Sequence, residues 1–366
     1  MSHHTHTVKR LSTASPRSVA SPLTGTTRRS TQVIARSTVS RIYVIHENDA
    51  WVEPLRAAFE ARGLPYTEWF LHAGLLDLSE APPEGVFYNR MSASSHTRGH
   101  RYGPEHTAAV LAWLEAHGRR VLNNSEALRL ELSKVAQYTA LERHGILTPR
   151  TVAAVGREDI VAASRLLPAP FVTKHNRAGK GLGVRLFRDH RALAAHVEGA
   201  EFEPSVDGIT LVQEYIEASE PLITRVEFVG GRLLYAVRVD TSQGFELCPA
   251  DACRVDDAFC PADKVETPMV EGRAADSPMF EVVPDFEHAL VSRYEAFLAA
   301  HGIQIAGIEF IVDTAGRVFT YDVNTNTNYN SEAETVADVS GMGAIASCLG
   351  SELATVNAAG ADSRRG

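Results

Sequence analysis

Residues 304–330 read QIAGIEFIVDTAGRVFTYDVNTNTNYN. Two short β-forming stretches, Ile305–Val312 and Arg317–Val323, flank the turn-forming sequence Asp-Thr-Ala-Gly at 313–316. Apolar runs on either side of such a turn predict a β-hairpin.

Three oxygen-bearing side chains in this hairpin predict a metal site. Side chains alternate between the faces of a strand, so a loop with an even number of residues would place Glu309, Asp322 and Asn324 on one face. Such a set suits Mg²⁺, a hard cation that completes its shell with water and phosphate. The alternative is a polar sheet face in contact with solvent.

The bulk composition narrows the class of protein. The chain has 366 residues, which suits two or three domains, and four cysteines, which favour a reducing compartment and hence the cytoplasm. A formal charge of −9 argues against a nucleic-acid or anionic-membrane partner. No apolar run reaches the length of a membrane span.

Residues 1–39 differ from the rest of the chain. They are rich in Ser, Thr and Arg, hold one Lys and contain no Asp or Glu. Such a segment buries too little apolar surface to fold, so we predict a disordered tail. Its composition also leaves an organelle-targeting role open.

Strand and helix patterns alternate in the next part of the chain. β-forming runs at Arg41–His46 and Gly85–Met91 alternate with helical patterns at Val52–Arg62 and Glu105–His117. This alternation predicts a parallel α/β sheet, and we place a first domain at 40–124.

Residues 125–350 are predicted to form a second domain. It begins with a helix-rich stretch at Ser125–His144, which includes a helix at Ser133–His144, and we expect a small subdomain at about 145–215. Strands are predicted at Phe171–Lys174, Gly183–Phe187, Leu211–Ile216, Ile223–Val229 and Leu233–Val239.

The remainder of this domain is less regular. Weak periodicity at about 241–282 indicates an insertion, and Pro284–His301 has the apolar spacing of a long amphipathic helix. We expect a terminal helix from about Ser331 and a flexible C terminus at 351–366.

A glycine-rich loop, KHNRAGKGLG at 174–183, lies between two predicted strands. Closely spaced glycines let backbone N–H groups approach phosphate oxygens, and Lys174 and Lys180 supply charge. No Gly-Lys-Ser/Thr opens a helix here, so the loop is not a Walker A motif. By itself it fits a phosphate-binding loop or a flexible surface hairpin.

Other polar residues have ordinary explanations when each is taken alone. Lys134, near a helix start, fits a solvated charge, and the sequence Gln-Glu-Tyr-Ile at 213–216 fits a strand that runs to the surface. The same strand end could present Glu214 and backbone groups to a purine. Arg225 and Arg238 lie on adjacent predicted strands, where arginines are often surface residues.

In combination these motifs resemble the ATP-grasp superfamily, and within it the RimK-like carboxylate–amine ligases. The pattern SKxxxYxxLxxxGIxTP at Ser133–Pro149 and the sequences GIE at 307–309 and YDVN at 321–324 are similar to that family. The resemblance covers about residues 41–345. It implies an α/β ATP-grasp fold with an N-terminal Rossmann-like pre-ATP-grasp domain.

The resemblance also implies which residues bind ATP and metal. Lys134 and Lys174 would hold the α- and β-phosphates, and the loop with Lys180, Gly181 and Gly183 would close over the phosphates. The ligands of two Mg²⁺ ions, with Mn²⁺ as the alternative metal, would be Glu309, Asp322 and Asn324.

Roles for the nucleoside and the transferred phosphoryl group are implied in the same way. Glu217 and Glu220 are both candidates for the ribose hydroxyls, and spacing does not decide between them. Arg238, with Arg225 as a second candidate, would steady the transferred phosphoryl group. The adenine would contact Glu214 and Ile216, and Gln213 and Tyr215 belong to the same ATP-binding segment.

Two departures from the family pattern concern the metal and the substrate. Asp322 stands where the family usually has Glu, and its side chain is one methylene shorter. Residues 325–330, TNTNYN, replace a segment that is typically rich in Ser, Pro and Gly. Because that segment usually lies beside the acceptor, the substrate class stays open.

Residues 88–103 follow a predicted strand of the first domain. Ligands of α/β sheets bind at the carboxyl ends of strands. Arg90 aligns with a substrate-facing arginine of the RimK-like pattern, so we predict that it grips a carboxylate, with Ser92, His96 and Arg98 nearby. The alternative is a polar loop packed against the central domain.

The predicted insertion contains Cys248, Cys253 and Cys260. Structural zinc sites use closer pairs and a fourth ligand, so we expect free thiols rather than a metal or redox site.

The implied function is an ATP- and Mg²⁺-dependent, ADP-forming ligase. It would join a carboxylate, through an acyl phosphate, to an amine of an amino acid or peptide. The alternatives are a non-catalytic ATP-binding regulator and an ATP-grasp carboxylase that uses bicarbonate. The two substrates and the oligomeric state, including a homo-oligomer, stay open.

Overall fold

The computed structural model describes residues 40–179, 181–241 and 280–362, which form three β-sheets with flanking helices. The predicted tail at 1–39 and most of the predicted insertion lie outside the described residues. So do Lys180, Cys248, Cys253 and Cys260.

The first sheet is parallel throughout, with strand order β2-β1-β3-β4. All of β3 is buried, as expected of a parallel strand covered on both faces, and the predicted parallel α/β sheet is confirmed. The elements are β1 (Arg41–His46), α1 (Glu53–Ala61), β2 (Tyr66–Phe70), β3 (Gly85–Asn89), α2 (Gly103–Ala116) and β4 (Arg120–Leu122).

The helix-rich stretch predicted at Ser125–His144 forms two helices. They are α3 (Ser125–Glu131) and α4 (Lys134–Arg143). The break occurs because Ser133 is extended and its hydroxyl caps the first turn of α4. It places Lys134 at the N terminus of a helix.

The second sheet is small and antiparallel, in the order β5-β8-β6-β7. The hairpin predicted around the glycine-rich loop is confirmed as β6–β7. Helices α5 and α6 contribute to its core, in which Phe171 and Leu193 are fully buried. The elements are β5 (Thr151–Val155), α5 (Arg157–Ser164), β6 (Phe171–His175), β7 (Arg185–Phe187), α6 (His190–Glu198) and β8 (Ile209–Glu214).

The third sheet is antiparallel, in the order β11-β10-β9-β12-β13. The hairpin predicted within 304–330 is confirmed as β12–β13. The elements are β9 (Leu222–Val229), β10 (Arg232–Asp240), β11 (Phe280–Val283), α7 (Val291–Ala300), β12 (Ile305–Val312) and β13 (Val318–Asn324).

Two predictions for this region differ from the structure. Helix α7 begins at Val291 rather than Pro284, because turns precede it and the Leu290 N–H donates to His288 Nδ1. The end of the predicted insertion forms β11, which pairs with β10. Because β10 and β11 are separated by the rest of the insertion, no local sequence pattern predicts that they pair.

The C-terminal segment is helical as far as Asp362, although we predicted a flexible stretch at 351–366. Helix α8 (Ser331–Ala337) precedes α9 (Gly341–Asp362), which packs against α1 and β3 and buries Leu353. This apolar contact with the first domain orders the helix. Among the described helices, none is by itself long and apolar enough to cross a bilayer; α8 and α9 qualify only as a pair bent by 84°.

Candidate active site

A cleft opens between the three sheets. It combines apolar side chains with lysines, carboxylates and side-chain amides. Its lining consists of Trp51, Ser92, Ser94, Glu131, Lys134, Pro149, Val172, Lys174, Ala178, Gly179, Gly181, Leu182, Val184, Gln213, Glu214, Tyr215, Ile216, Ile223, Arg225, Glu309, Ile311, Tyr321, Asp322, Asn324, Asn326 and Asn328.

The β12–β13 hairpin brings the three predicted metal ligands together. Glu309 pairs with Asp322 and Gly307 pairs with Asn324, with a β-bulge after Glu309. Asn324 Nδ2 lies 3.3 Å from Asp322 Oδ2 and 3.5 Å from Glu309 Oε1. Two carboxylates and a side-chain amide this close together suit a hard divalent cation, to which Asn324 would present its oxygen by rotation of the amide.

The charge balance of the hairpin also suits a metal ion. Burial raises the pKa of Glu309 to about 7, with Arg225 opposing the rise and Asp322 adding to it. Burial also acts to raise the pKa of Asp322, but Lys134, together with Lys174 and Arg225, holds it below its usual value. A divalent cation between the two carboxylates would remove their repulsion. The donor set therefore fits Mg²⁺.

Lys134 and Lys174 face the same cleft as these ligands. Lys134 Nζ donates to Asp322 Oδ1. Burial lowers the pKa of Lys134, but Asp322, together with Tyr138 and Glu131, raises it above its usual value. Burial and the nearby Lys134 lower the pKa of Lys174 to about 7, and its Nζ lies 5.0 Å from the centroid of the Tyr138 ring. Lys174 is buried and Lys134 is partly buried. Two such lysines, each of which disfavours the charge of the other, favour a polyanionic ligand such as a triphosphate.

Asn176, which we did not single out from the sequence, joins the two elements that carry these lysines. It is 2% exposed, and its backbone oxygen accepts from the Lys134 N–H at 3.2 Å. Its Oδ1 accepts from the Val135 N–H at 2.9 Å, and its Nδ2 donates to Asp207 Oδ2 at 2.6 Å. Because Asn176 directly follows β6, these bonds hold Lys174 near the N terminus of α4.

The predicted adenine segment lines the cleft at the end of β8. Gln213 Nε2 donates to Thr151 Oγ1 at 2.7 Å, and Glu214 Oε1 accepts from the Arg150 N–H at 2.6 Å. These side chains are engaged within the small subdomain. The cleft-lining residues of this segment are Gln213, Glu214, Tyr215 and Ile216.

Other predicted ATP ligands differ in position. Glu217 and Glu220 are both exposed and outside the lining, so the geometry does not choose between them. Gly181 lines the cleft, whereas Gly183 does not. Gly183 has φ +72°, and a Cβ atom there would lie 2.3 Å from the His175 ring, so packing against that ring requires glycine.

The glycine-rich loop also contacts the first domain. Arg177 is 5% exposed, and its Nη1 donates to Glu105 Oε1 at 2.7 Å. A Cβ atom on Gly179 would lie 3.7 Å from Ser94. The loop therefore connects the small subdomain with α2 and the Ser94 region.

Arg225 lies in the cleft, as predicted. Its Nη1 donates to Glu309 Oε1 at 3.1 Å and its Nε donates to Glu227 Oε1 at 2.5 Å. Burial lowers the pKa of Arg225, but the two carboxylates raise it by more, so the guanidinium stays charged. The positively charged guanidinium of Arg225 therefore lies next to Glu309, a predicted metal ligand.

Arg238 is not in the cleft, so the geometry does not support the catalytic role that we predicted for it. In the β9–β10 register, Val237 pairs with Arg225 and Arg238 pairs with Thr224. Paired residues share a face, so Arg238 projects from the face opposite to Arg225. Its side chain is 49% exposed and lies 4.0 Å from Glu281.

Arg90 does not line the cleft, contrary to the prediction that it grips a substrate carboxylate directly. It is 2% exposed and turned towards the segment that follows β13. Its Nε donates to Asn326 Oδ1 at 3.1 Å, and its Nη2 donates to Asn328 Oδ1 at 2.9 Å and to the Thr327 carbonyl at 3.0 Å. Arg90 therefore supports one wall of the cleft from behind.

Of the other predicted substrate residues, Ser92 lines the cleft, whereas His96 and Arg98 do not. Arg98 donates to both carboxylate oxygens of Glu47, at 3.1 and 2.5 Å. Its guanidinium lies 5.0 Å from the Trp51 ring centroid. Burial lowers the pKa of His96. Arg98 thus positions Trp51, which does line the cleft.

Comparison with known proteins agrees with this geometry. Residues 132–245 match the family model described as the RimK-like ATP-grasp domain, a stretch that contains Lys134, Lys174 and Arg225. This part of the chain is therefore similar to a RimK-like ATP-grasp domain. The match ends before the β12–β13 hairpin, whose metal-ligand geometry is an independent feature.

Two curated proteins are similar to this chain in sequence. A probable alpha-L-glutamate ligase of Methanococcoides burtonii is 24% identical over 237 residues, which cover 64% of this chain and 69% of that protein. Beta-citrylglutamate synthase B of Mus musculus is 31% identical over 128 residues, or 34% of this chain. That alignment spans 32% of the mouse protein.

Solved structures share the fold over most of the chain. A RimK domain ATP-grasp protein from Sphaerobacter thermophilus has a TM-score of 0.56 and 19% identity, covering 84% of this chain and 98% of that one. The ATP-grasp ligase PsnB in complex with a minimal precursor has a TM-score of 0.57 and 16% identity, covering 86% and 99%. At these identities the likeness establishes the ATP-grasp fold.

Sequence reasoning missed several residues that line the cleft. For two of them a signal existed, because Asn and Thr alternate at 324–328. The structure buries Thr325 and Thr327 and turns the asparagines towards the cleft. The others come from a loop or a helix end that only the folded chain brings to the cleft. The missed residues include Trp51, Ser94, Glu131, Asn326 and Asn328.

Proposed function

We propose that this protein uses ATP to activate a carboxylate as an acyl phosphate and then joins it to an amine, with release of ADP and phosphate. The substrates are amino acids or peptides. One observation carries the proposal: the two lysines and the Glu309–Asp322–Asn324 set face one cleft, with Lys134 in contact with Asp322.

The residues of the cleft divide into roles. Glu309, Asp322 and Asn324 would hold magnesium, which neutralises the phosphates when bound; we propose two ions, with Mn²⁺ as the alternative. Lys134 would exchange Asp322 for a phosphate oxygen when the nucleotide binds. Lys174 would regain full charge beside the phosphates, because an anion next to a lysine favours the protonated form.

The nucleotide's base would lie against the end of β8, where Tyr215 and Ile216 line the cleft. Glu217 and Glu220 remain the candidates for the ribose. The glycine-rich loop would cover the phosphates, with Gly181 at the cleft wall.

The chemistry proceeds in two displacements. A carboxylate oxygen attacks the γ-phosphorus and ADP leaves; the amine nitrogen then attacks the acyl carbon, phosphate leaves, and the nitrogen loses a proton. Arg225, held beside Glu309, would stabilise negative charge on the transferred group, an effect of about 3 kcal/mol. The protein contributes mainly position and charge.

The relatives support the substrate class. Two of them are named for glutamate ligation and β-citrylglutamate synthesis, and PsnB is described with a precursor. These names favour amino-acid or peptide substrates for the present chain. A cytoplasmic location is a further proposal that rests on the low cysteine content.

Trapping the acyl phosphate tests the function without knowledge of the amine. The protein is incubated with ATP, Mg²⁺, hydroxylamine and a panel of L-amino acids and dipeptides, and hydroxamate and ADP are measured. We expect both products with at least one carboxylate of the panel. Tight ATP binding without turnover would indicate the regulator, and turnover that depends on bicarbonate would indicate the carboxylase.

A further inference from the structure

Residues 325–328, directly after the metal-binding strand, present side chains of two kinds. Thr325 and Thr327 are buried, at 2% and 0% exposure. Asn326 and Asn328 are half-buried and line the cleft. The two amides therefore lie next along the chain after the metal ligand Asn324, where a substrate that reacts with the γ-phosphate has to bind.

Arg90 decides how these amides are oriented. Its Nε donates to Asn326 Oδ1 at 3.1 Å and its Nη2 donates to Asn328 Oδ1 at 2.9 Å. A guanidinium has only donors, so each amide must turn its oxygen towards Arg90. The two Nδ2 groups then point away from the arginine, and neither forms a hydrogen bond with another described residue.

The charge of Arg90 is not balanced by an acidic side chain. Its partners among the described residues are two amide oxygens and one carbonyl oxygen, and its buried Nη1 has no hydrogen-bond partner there. Arg225 differs, because Glu227 and Glu309 both contact it. A buried cation held only by neutral dipoles favours an anion nearby, and it polarises the two amides in the direction of the cleft.

We propose that the Nδ2 groups of Asn326 and Asn328 bind a carboxylate of the substrate, with Arg90 as the positioning residue behind them. This inference rests on the proposed function, since it assigns the carboxylate subsite of the same cleft. The subsite takes a carboxylate through two neutral donors. The carboxylate is either the one that becomes phosphorylated or a second one on the same molecule.

Equilibrium binding tests the subsite without turnover. The protein loaded with AMPPNP and Mg²⁺ is titrated by calorimetry with L-glutamate and with glycylglycine. Glutamine, isoglutamine and glycylglycinamide, each lacking one carboxylate, serve as comparison ligands. We expect at least one carboxylate probe to bind, and the matching amide to bind at least tenfold more weakly. Weaker binding of glutamine would show that the subsite binds the side-chain carboxylate of glutamate. Weaker binding of isoglutamine would show that it binds the α-carboxylate.

Two isosteric variants, Asn326→Asp and Asn328→Asp, replace one donor by an oxygen. Each new carboxylate still accepts from Arg90 and adds an opposite charge, so we expect an unchanged or higher Tm and unchanged AMPPNP affinity. Carboxylate binding should fall at least tenfold. The control is Asn330→Asp, in the same segment, where the side-chain oxygen caps α8 and lies outside the cleft lining. It should bind the probes like the wild type.

Several results would overturn the subsite: unchanged probe affinity in both Asp variants, equal binding of acids and amides, or no binding of either probe to the wild type. Hydroxamate formation reports on the ligase reaction separately. Probe binding that is lost in the Asp variants, in a protein that forms no hydroxamate, would uphold the subsite and overturn the ligase function.

Discussion

Lys134 Nζ donates a hydrogen bond to Asp322 Oδ1, and this bond joins the first turn of α4 to the metal-binding hairpin. The two residues lie 188 positions apart in the chain. The ion pair offsets the free energy of desolvating each charged group. In the ligand-free protein the cleft can therefore hold both a lysine that binds phosphate and a carboxylate that binds metal.

Asp322→Asn should separate metal-dependent turnover from nucleotide binding. The amide cannot supply a charged ligand, so we expect hydroxamate formation to fall about 100-fold or more. Nucleotide affinity without Mg²⁺ should not fall, because Lys134 is released from its partner. Asp313→Asn, in the turn of the same hairpin and outside the cleft lining, is the control and should retain turnover. Wild-type turnover in the Asp322 variant would contradict the metal assignment.

Asn176→Ala should weaken ATP binding through the positions of the two lysines. The change removes the acceptor of the Val135 N–H and the donor to Asp207, so we expect a loss of about 2 kcal/mol in the free energy of unfolding. The KM for ATP should rise about tenfold as Lys134 and Lys174 move apart.

The matched control for Asn176 is Asn124→Ala. Asn124 also caps a helix, α3, but it lies outside the cleft lining, so its loss should cost about 1 kcal/mol of stability and leave the KM for ATP unchanged. Equal KM values in both variants would mean that Asn176 acts on stability alone.

Arg90→Lys should weaken binding of the carboxylate substrate although it keeps the positive charge. An ammonium cannot span both amide oxygens and the Thr327 carbonyl, so the orientation of the two amides is no longer imposed. We expect the KM for the carboxylate to rise about tenfold and the stability to fall by about 2 kcal/mol. Arg129→Lys, on the exposed face of α3, should change neither quantity. An unchanged KM in the Arg90 variant would contradict the positioning role.

The stability of the ligand-free protein should pass through a minimum near pH 7. The pKa of Glu309 is raised from 4.5 to about 7, so the folded state binds more protons in that window and stability falls as pH rises through it. The pKa of Lys174 is lowered from 10.5 to about 7, so the unfolded state binds more protons above pH 7 and stability rises again.

Thermal unfolding between pH 5 and 9 measures this profile. Glu309→Gln should flatten the acidic limb, and Lys174→Met should flatten the alkaline limb. A profile of the wild type that is flat across pH 7, or variants that leave both limbs in place, would contradict the assignment. Saturating Mg²⁺ and ATP should remove the minimum, since both groups are then charged.

Local patterns were sufficient for the parts of this protein whose contacts are close in sequence. The alternation of β12 and β13 about one short turn predicted that Glu309, Asp322 and Asn324 share a face. The glycine-rich loop was likewise predicted between two strands that pair with each other. Resemblance to the RimK-like pattern then implied the roles of Lys134 and Lys174, which the structure brings to the same cleft.

Positions that depend on strand register or on distant partners could not be predicted in this way. Arg238 faces away from the cleft because one step along β10 reverses the side-chain direction. The orientation of Arg90 depends on residues 326–328, more than 230 positions away, and the order of α9 depends on the apolar surface of α1.

The sequence by itself determined which chemical groups are present and which short elements carry them. Tertiary structure alone decided which of those groups meet, because burial and hydrogen bonding between distant segments select one face, one partner and one orientation for each side chain.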